Sequence, residues 1–355
     1  MIQNLFLTTC VLTVDYYSAR NLYMQKLKIL SHFAHATYQT FLSKVPNTEF
    51  YHVVDTKGVF PENVRPKPMW SGENCPSNIK EIEAADVNPA DFDILLIHWH
   101  PFIELFCQKW SSIPSIMIEH TWPFKNLPSE VNRWHVIREA HLDHTVFITP
   151  SSQEAWGEKN NPKACAIYHS IDLIELPRKV DYTIGGITTT TNEFISRDWA
   201  CGFTLWCSVL GLPHAPYFKD ISLYGYGNDN IGKVAKGPLS NALIWRKLQN
   251  ETGVYFNPSI MSPIPMSLLE AVAIGVPIVS TAYCEPGKIF QNGVHGIISN
   301  DIAELRSGIK MILANPSKGK EFVVNAMKVV SEKFAPYRFQ QEWKNVFENV
   351  AKQRG

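Results

Sequence analysis

The sequence predicts an α/β protein whose strands form parallel sheets. Short apolar or β-branched runs alternate with longer segments of helical periodicity, which is the pattern of that fold class. With 45% hydrophobic and 19% charged residues, the composition is that of a globular protein. At about 150 residues per domain, a length of 355 residues indicates about two domains. No window approaches the ~18 uninterrupted apolar residues of a membrane span, so we expect no stable membrane insertion.

Runs of apolar and β-branched residues mark the expected strands. They lie at Asn4–Val11, Glu49–Val54, Ile94–His98, Ser115–Glu119, Thr145–Thr149, Cys165–Tyr168, Ile221–Tyr224, Gly253–Asn257, Pro277–Ser280 and Gly296–Ile298. The first run lacks the basic segment and the cleavage site of a signal peptide, so we interpret it as a strand.

Segments of helical periodicity separate these runs. They lie at Ala19–Ser43, Pro101–Trp110, Val131–Leu142, Phe203–Leu210, Leu239–Gln249, Met266–Ile274 and Ile302–Leu313. After the breaker Pro336, apolar residues recur at close to helical spacing, which predicts a closing helix within 336–355. A polar connector at Ser170–Val180 divides the rest of the chain into domains at 1–175 and 176–335.

Charge and cysteine content narrow the classes of function. The 33 Lys and Arg residues balance 33 Asp and Glu residues, which disfavours general attraction to nucleic acid or an anionic membrane. Seven cysteines without CxxC spacing predict neither disulfides nor a zinc knuckle, so we expect a cytoplasmic protein. His98 and His100 share a strand face, but no third ligand has suitable spacing, and we expect no metal.

Residues 253–281 suggest a ligand site. The stretch reads as strand, irregular loop, helix, glycine turn and strand. Pro265 near the first helical position and Gly275 after the last predict a helix that starts at about Met266. The N–H groups at such a start attract phosphate, and Glu270 one turn later can accept hydrogen bonds from two ribose hydroxyls. The stretch therefore predicts a nucleotide site.

The same stretch resembles the donor site of retaining glycosyltransferases of the GT-B fold, family 4 (glycosyl transferases group 1). The match runs through Leu269-Glu270-Ala271-Val272-Ala273-Ile274-Gly275-Val276-Pro277-Ile278-Val279-Ser280-Thr281, and Asn292-Gly293-Val294-His295-Gly296 is similar to the family's following turn. Weaker similarity at Asp91–His98, Ile118–His120, Ser151-Ser152 and His169–Asp172 extends the resemblance over most of the chain. It implies two Rossmann-like domains whose parallel sheets face one another across a cleft, with the acceptor side in 1–175 and the nucleotide sugar in 176–335.

The resemblance also implies roles for individual residues. His120 would orient the transferred sugar, and Glu270 would hold the ribose. The leaving diphosphate would be neutralised by Arg197 and by the helix start, which comprises Pro265, Met266, Ser267 and Leu268. The glycine loop with Gly225 and Tyr226 would lie near the base. Such enzymes need neither metal nor cofactor, and the resemblance implies no protein nucleophile.

Three features depart from the family pattern. Ser262 stands where the family usually has a sugar-contacting Glu, so Ser262 and nearby backbone amides would recognise the sugar. No Lys precedes Gly202, and the cations that could substitute are Lys233, Lys236 and Arg246. The family's N-terminal Gly-Gly loop is absent, with residues 15–20 interpreted as standing in its place.

The expected function is transfer of a sugar from a nucleotide-diphosphate sugar, with a UDP-sugar favoured, to an acceptor hydroxyl with retention of configuration. The expected acceptor is a glycan or a lipid; a hydroxymethylated base in phage-type DNA is a further possibility that the zero net charge disfavours. Two alternatives are a nucleotide-sugar epimerase and a catalytically inactive nucleotide-binding module. A dinucleotide dehydrogenase is disfavoured, because no Gly-x-Gly-x-x-Gly follows the first strand.

Overall fold

The computed structural model describes residues 26–66, 75–123 and 128–352. The predicted strand Asn4–Val11, the segment 15–20 and the first residues of the predicted helix Ala19–Ser43 lie outside these ranges. The chain divides into two compact units, one within residues 1–116 and 344–355 and the other within residues 117–343. The domain boundaries expected after residues 175 and 335 stay predictions.

Parallel strands build the first unit. Their order is β3-β2-β1-β4, with β1 at Leu27–His32, β2 at Thr48–Val54, β3 at Ile79–Glu83 and β4 at Ile94–Ile97. In the β1–β2 pair, Ile29 lies opposite Phe50. Helix α1 (Ala36–Ser43) follows β1, and helix α2 (Phe102–Lys109) follows β4.

Three further strands are neighbours in chain order: β5 at Ser115–Glu119, β6 at His144–Phe147 and β7 at Ala164–Ala166. Helix α3 (Pro128–His141) connects β5 to β6, and helix α4 (Pro150–Ala155) connects β6 to β7. β6 and β7 pair in parallel. His120 directly follows β5, so it stands at the carboxyl end of that strand, where ligands of open α/β sheets bind.

A separate five-stranded parallel sheet lies within residues 186–298. Its order is β12-β11-β10-β8-β9, with β8 at Gly186–Thr190, β9 at Ile221–Tyr224, β10 at Thr252–Asn257, β11 at Ile278–Ser280 and β12 at Ile297–Ile298. The helices from residue 198 onward are α5 (Asp198–Cys201), α6 (Phe203–Leu210), α7 (Asn241–Glu251), α8 (Met266–Ile274), α9 (Pro286–Ile289), α10 (Ile302–Ala314), α11 (Pro316–Lys333) and α12 (Pro336–Ala351).

Helix α8 and strand β10 hold the predicted nucleotide-binding stretch in the core. Leu268, Leu269 and Val272 of α8 are buried and pack in one cluster with Tyr255 of β10. Full burial of one such side chain contributes about 1.5–3 kcal/mol. This anchoring fixes the start of α8 next to the carboxyl end of β10, which is the edge where the loop with Ser262 lies.

The α/β class and the parallel sheets predicted from the sequence are confirmed. Strand Ser115–Glu119 and helices Phe203–Leu210 and Met266–Ile274 have the predicted bounds. A helix is also found at the predicted closing position, Pro336–Ala351. Among the described residues, none of the helices combines the length and the apolar character that crossing a membrane requires.

The prediction of one helix over Ala19–Ser43 was wrong at Leu27–His32, where β1 lies, and confirmed at Ala36–Ser43, where α1 lies. The last four residues of β1 are all buried, so the strand lacks the in–out alternation that identifies a half-buried strand. The segment 15–20, interpreted as standing in place of the Gly-Gly loop, lies outside the described residues, so that interpretation stays a prediction. The loop that follows β1 is Phe33–His35, which also contains no glycine.

Candidate active site

A cavity of about 200 Å³ within residues 117–343 brings together four of the predicted site residues. His120, Arg197, Ser262 and Pro265 all line it. Other lining residues that bear on the argument are Thr121, Trp122, Thr190, Thr191, Trp199, Cys201 and Ser259. Three parts of the chain distant in sequence, 120–122, 190–201 and 259–265, therefore converge on one concave surface, which is the usual form of a small-molecule site.

Helix α8 begins as predicted, with Pro265 as its N-cap residue and Met266 as its first residue. No side chain caps this end, and its first turn contains no acidic residue. The positive end of the helix dipole therefore meets no carboxylate from its own first turn, and the N–H groups of that turn suit an anion. Because Pro265 lines the cavity, this positive end borders it.

Tyr255 connects the start of α8 to the cavity wall. Its buried hydroxyl donates to Ser267 Oγ at 2.7 Å and lies 2.8 Å from Thr190 Oγ1. Burial raises the pKa of the Tyr255 hydroxyl, so the group stays protonated and keeps its donor. Thr190 lines the cavity, whereas Ser267 does not. The hydroxyl chain therefore sets the distance between the helix start and the end of β8.

Glu270 lies one turn into α8 and is partly buried. Burial raises the pKa of its carboxyl group to about 7, and the Trp245 indole N–H partly offsets this effect. No Lys or Arg among the described residues forms an ion pair with Glu270. The carboxylate does not line the cavity, but it lies on the helix whose start borders that cavity. A carboxylate so poorly solvated would be stabilised by hydrogen bonds from the hydroxyl groups of a ligand.

This raised pKa predicts an unusual pH dependence of stability. An unfolded Glu loses its proton near pH 4.5, whereas folded Glu270 keeps its proton until about pH 7. The folded state binds more protons between these values, so the free energy of unfolding should fall as pH rises from 4.5 to 7. Urea unfolding of wild type and Glu270→Gln between pH 4.5 and 7 measures how the free energy of unfolding of each protein depends on pH. If the free energy of unfolding changes equally with pH in both proteins, the raised pKa of Glu270 is contradicted.

Arg197 precedes helix α5 and is exposed. Its backbone N–H donates to Glu193 O at 3.0 Å, and its carbonyl accepts from Ala200 N at 2.9 Å. No carboxylate of the described residues pairs with its guanidinium. Among the described residues that line the cavity, Arg197 is the only Lys or Arg. Its charge is therefore available to a ligand.

The other cations proposed from the sequence do not reach this cavity. Lys233, Lys236 and Arg246 are exposed, and none of them lines it. Lys236 Nζ instead donates to Lys233 O at 2.9 Å. Cys201 lines the cavity at the position just before Gly202, where the family pattern has Lys.

The loop with Ser262 is fixed by contacts with residues 281–285. Thr281 Oγ1 donates to Ser259 O, Cys284 Sγ lies 3.2 Å from Ile260 O, and Glu285 N donates to Pro263 O at 3.3 Å. The buried Glu285 carboxylate accepts from Ser151 N at 3.1 Å and from the Tyr168 hydroxyl. Glu285 was not predicted from the sequence. No motif singled it out, because its partners are remote in sequence.

Gly225 and Tyr226 do not line the cavity, but Gly225 lies close to Thr191, which does. Gly225 has φ +137°, and a Cβ there would lie 1.9 Å from Thr191 O. The buried Asn228 side chain donates to Thr191 O at 2.8 Å and accepts from Phe194 N at 2.9 Å. The glycine therefore permits close packing against the Thr191 segment. Contact of Gly225 and Tyr226 with a base stays a prediction.

The sequence analysis missed Thr190 and Thr191 because β8 was not predicted. β8 reads Gly-Ile-Thr-Thr-Thr, and its threonines are polar residues inside a buried strand. Thr188 Oγ1 lies 2.7 Å from Thr252 Oγ1, and Thr189 Oγ1 donates to Phe256 O at 2.8 Å. These bonds satisfy hydroxyls that would otherwise be costly to bury. A run of four threonines in an α/β sequence is the one feature that could have indicated this strand.

A metal site does not emerge from the parts of the chain that the structure describes. No group of three or more His, Cys, Asp or Glu residues in those parts could hold a metal ion. His98, considered above as a ligand, is buried, and its backbone N–H donates to His32 Nε2 at 2.9 Å.

Comparison with known proteins agrees with the resemblance seen in the sequence. Residues 237–329 match the family model "Glycosyl transferases group 1". An uncharacterized glycosyltransferase of Haemophilus influenzae is 21% identical over 224 residues, which cover 58% of this chain and 61% of that protein. The match thus spans less than two thirds of that relative's length.

Solved structures match over nearly the whole chain. Anabaena HepE in complex with UDP-glucose has a TM-score of 0.68 at 11% identity, covering 91% of this chain and 100% of that one. Sucrose-phosphate synthase from Thermosynechococcus elongatus has a TM-score of 0.67 at 11% identity, covering 93% and 100%. At these identities the likeness shows the fold, two α/β domains with parallel sheets. The predicted resemblance to group 1 glycosyl transferases is confirmed for residues 237–329. The chain has the GT-B fold, and its residues 237–329 match the group 1 glycosyl transferases.

Proposed function

We propose that the protein transfers a sugar from a UDP-sugar to an acceptor hydroxyl with retention of configuration. The observation that carries this proposal is the cavity of about 200 Å³ where His120, Arg197, Ser262 and the start of α8 meet. It combines a cation, a helix dipole and hydroxyl groups, which suits a diphosphate attached to a sugar. The match of residues 237–329 to the group 1 glycosyl transferases supports this proposal.

Each part of the cavity has a task in this reaction. The acceptor oxygen bonds to the anomeric carbon as the bond from that carbon to the diphosphate oxygen breaks. The acceptor proton passes to that leaving oxygen, so the protein supplies no nucleophile. Arg197 and the first turn of α8 stabilise the charge that develops on the diphosphate. His120 and Ser262 orient the sugar, and Glu270 accepts hydrogen bonds from the ribose.

We propose that this charge stabilisation needs no metal ion or other cofactor. One guanidinium and one helix start are the positive groups that the described cavity offers to a diphosphate carrying about two negative charges. The presence of Cys201 where the family has Lys leaves the α8 start with a larger share of the charge. Addition of EDTA is expected to leave the rate unchanged.

UDP is the favoured nucleotide because the structurally similar Anabaena HepE binds UDP and UDP-glucose. A glycan or lipid is the proposed acceptor, and a modified DNA base is the second candidate. The described cysteines are all free, which supports our assignment to a reducing compartment such as the cytoplasm.

A donor panel tests the proposal. The protein is incubated with UDP-, GDP-, ADP- and dTDP-sugars, and both melting temperature and nucleoside diphosphate release are followed. A UDP-sugar should raise the melting temperature and release UDP, faster with an acceptor glycan. Conversion of the donor to an isomer without release of UDP would indicate an epimerase instead. Binding without any release, with every acceptor tried, would indicate an inactive nucleotide-binding module.

A further inference from the structure

Thr121 stands between two residues of the cavity wall, His120 and Trp122. Three of its polar groups are held by residues that do not line the cavity. Its N–H donates to Glu119 Oε1 at 2.9 Å, and its hydroxyl donates to the same oxygen at 2.6 Å. Its carbonyl accepts from Trp156 Nε1 at 3.1 Å. The path of the chain from His120 to Trp122 is therefore set by Glu119 and Trp156.

Glu119 is itself held by a buried cation. Its other carboxylate oxygen accepts from Arg138 of α3, and both side chains are at most 2% exposed. The Arg138 guanidinium lies over the Trp156 ring, 4.5 Å from the ring centroid. One arginine thus contacts both residues that hold Thr121, so the three side chains act as a single buried support.

The support continues away from the cavity. Arg138 Nη1 lies 3.8 Å from Glu158 Oε1, and that oxygen also lies 3.0 Å from His135 Nδ1. Asn161 Nδ2 donates to Glu158 Oε2 at 2.6 Å. A buried ion pair seldom increases stability over apolar residues of similar volume, so its presence directly behind a ligand cavity needs a further explanation.

We infer that Glu119, supported by Arg138 and Trp156, is a positioning residue that sets His120 in the orientation needed for sugar transfer. The inference rests on the proposed function. It names a residue that touches no substrate and acts through the backbone between β5 and α3. Misplacement of a reacting or orienting group by about 1 Å can lower a rate about a hundredfold.

Two variants test this inference without altering the cavity lining. Glu119→Gln keeps the shape but removes the charge that faces Arg138. Trp156→Phe keeps the ring under Arg138 but removes the N–H that binds the Thr121 carbonyl. Each is expected to lower kcat with a UDP-sugar about tenfold or more. The Kd for UDP alone should change less than twofold, since Glu270 and α8 are not touched.

A double-mutant cycle distinguishes positioning from general destabilisation. If Glu119 acts through His120, Glu119→Gln should change kcat less than about twofold in a His120→Ala background. An equal loss in both backgrounds would overturn the inference. Glu119→Gln can fail to fold, and the same cycle with Trp156→Phe then decides the question. Unchanged kcat in Trp156→Phe would also overturn it.

The matched control is Glu154→Gln. Glu154 lies on α4, is exposed, and pairs with Lys159 at 2.8 Å, so its replacement should leave kcat and Kd unchanged. Failure of the inference and failure of the proposed function are separable. A wild-type protein that binds UDP and turns over no donor refutes the function, whereas an active wild type with unaffected variants refutes only the positioning role.

Discussion

Replacement of Glu270 by alanine is expected to lower kcat/KM for a UDP-sugar by about a thousandfold. Hydrogen bonds to a charged group contribute about 1.5–3 kcal/mol each, so two ribose hydroxyls account for roughly 4 kcal/mol. Each 1.36 kcal/mol corresponds to a factor of ten in rate. Burial raises the pKa of Glu270 to about 7, so the assay should be run at pH 8, where wild type is ionised.

Loss of activity in this variant would come from the site and not from unfolding. A partly buried carboxylate without a cationic partner costs free energy in the folded protein, so Glu270→Ala should fold. Its far-UV circular dichroism and melting temperature check this. Glu321→Ala is the control, because Glu321 pairs with Lys318 on the exposed face of α11 at 2.8 Å. Transfer by Glu270→Ala at a near-normal rate would exclude Glu270 from the donor site.

Arg197→Ala is expected to lower kcat by about a hundredfold or more, with a smaller effect on KM. Loss of one group that stabilises developing negative charge typically costs 10²- to 10³-fold in kcat. Arg197 is the only Lys or Arg among the described residues of the cavity wall, so no neighbour there can replace its charge. Single-turnover measurement of UDP release separates this effect from binding.

Arg197→Lys should recover part of the rate, because lysine restores the charge but not the planar pair of donors. Arg133→Ala serves as the control, since Arg133 is an exposed residue of α3 whose guanidinium lies over the Trp134 ring. An unchanged kcat in Arg197→Ala, or an effect on KM as large as the effect on kcat, would contradict this role of Arg197.

The sequence predicted α8 and its surroundings closely for a local reason. Pro265 at the N-cap and Gly275 in the left-handed region after the last turn are requirements of the helix ends themselves. Such requirements depend on neighbouring residues only, so they can be read without the fold. The same argument explains the correct bounds of β5, which is a short buried run ended by turn residues.

Three described strands, β1, β3 and β8, were not predicted. For β1 and β8 the reason is that their features come from packing. β1 is buried along most of its length, and its apolar run fits a helix as well as a strand. β8 carries threonines whose hydroxyls bond to β10, a partner more than 60 residues away in sequence. The residue pattern of neither strand identifies the strand with which it pairs.

By itself, the sequence determined the α/β class, the helix that carries Glu270, and the resemblance to group 1 glycosyl transferases. Only the tertiary structure decided that His120, Arg197, Ser262 and Pro265 share a cavity, and that Lys233, Lys236 and Arg246 do not. It also placed Glu119 and Arg138 behind the cavity wall. Helix ends follow from local backbone chemistry, whereas a cavity is formed by segments that meet only after folding.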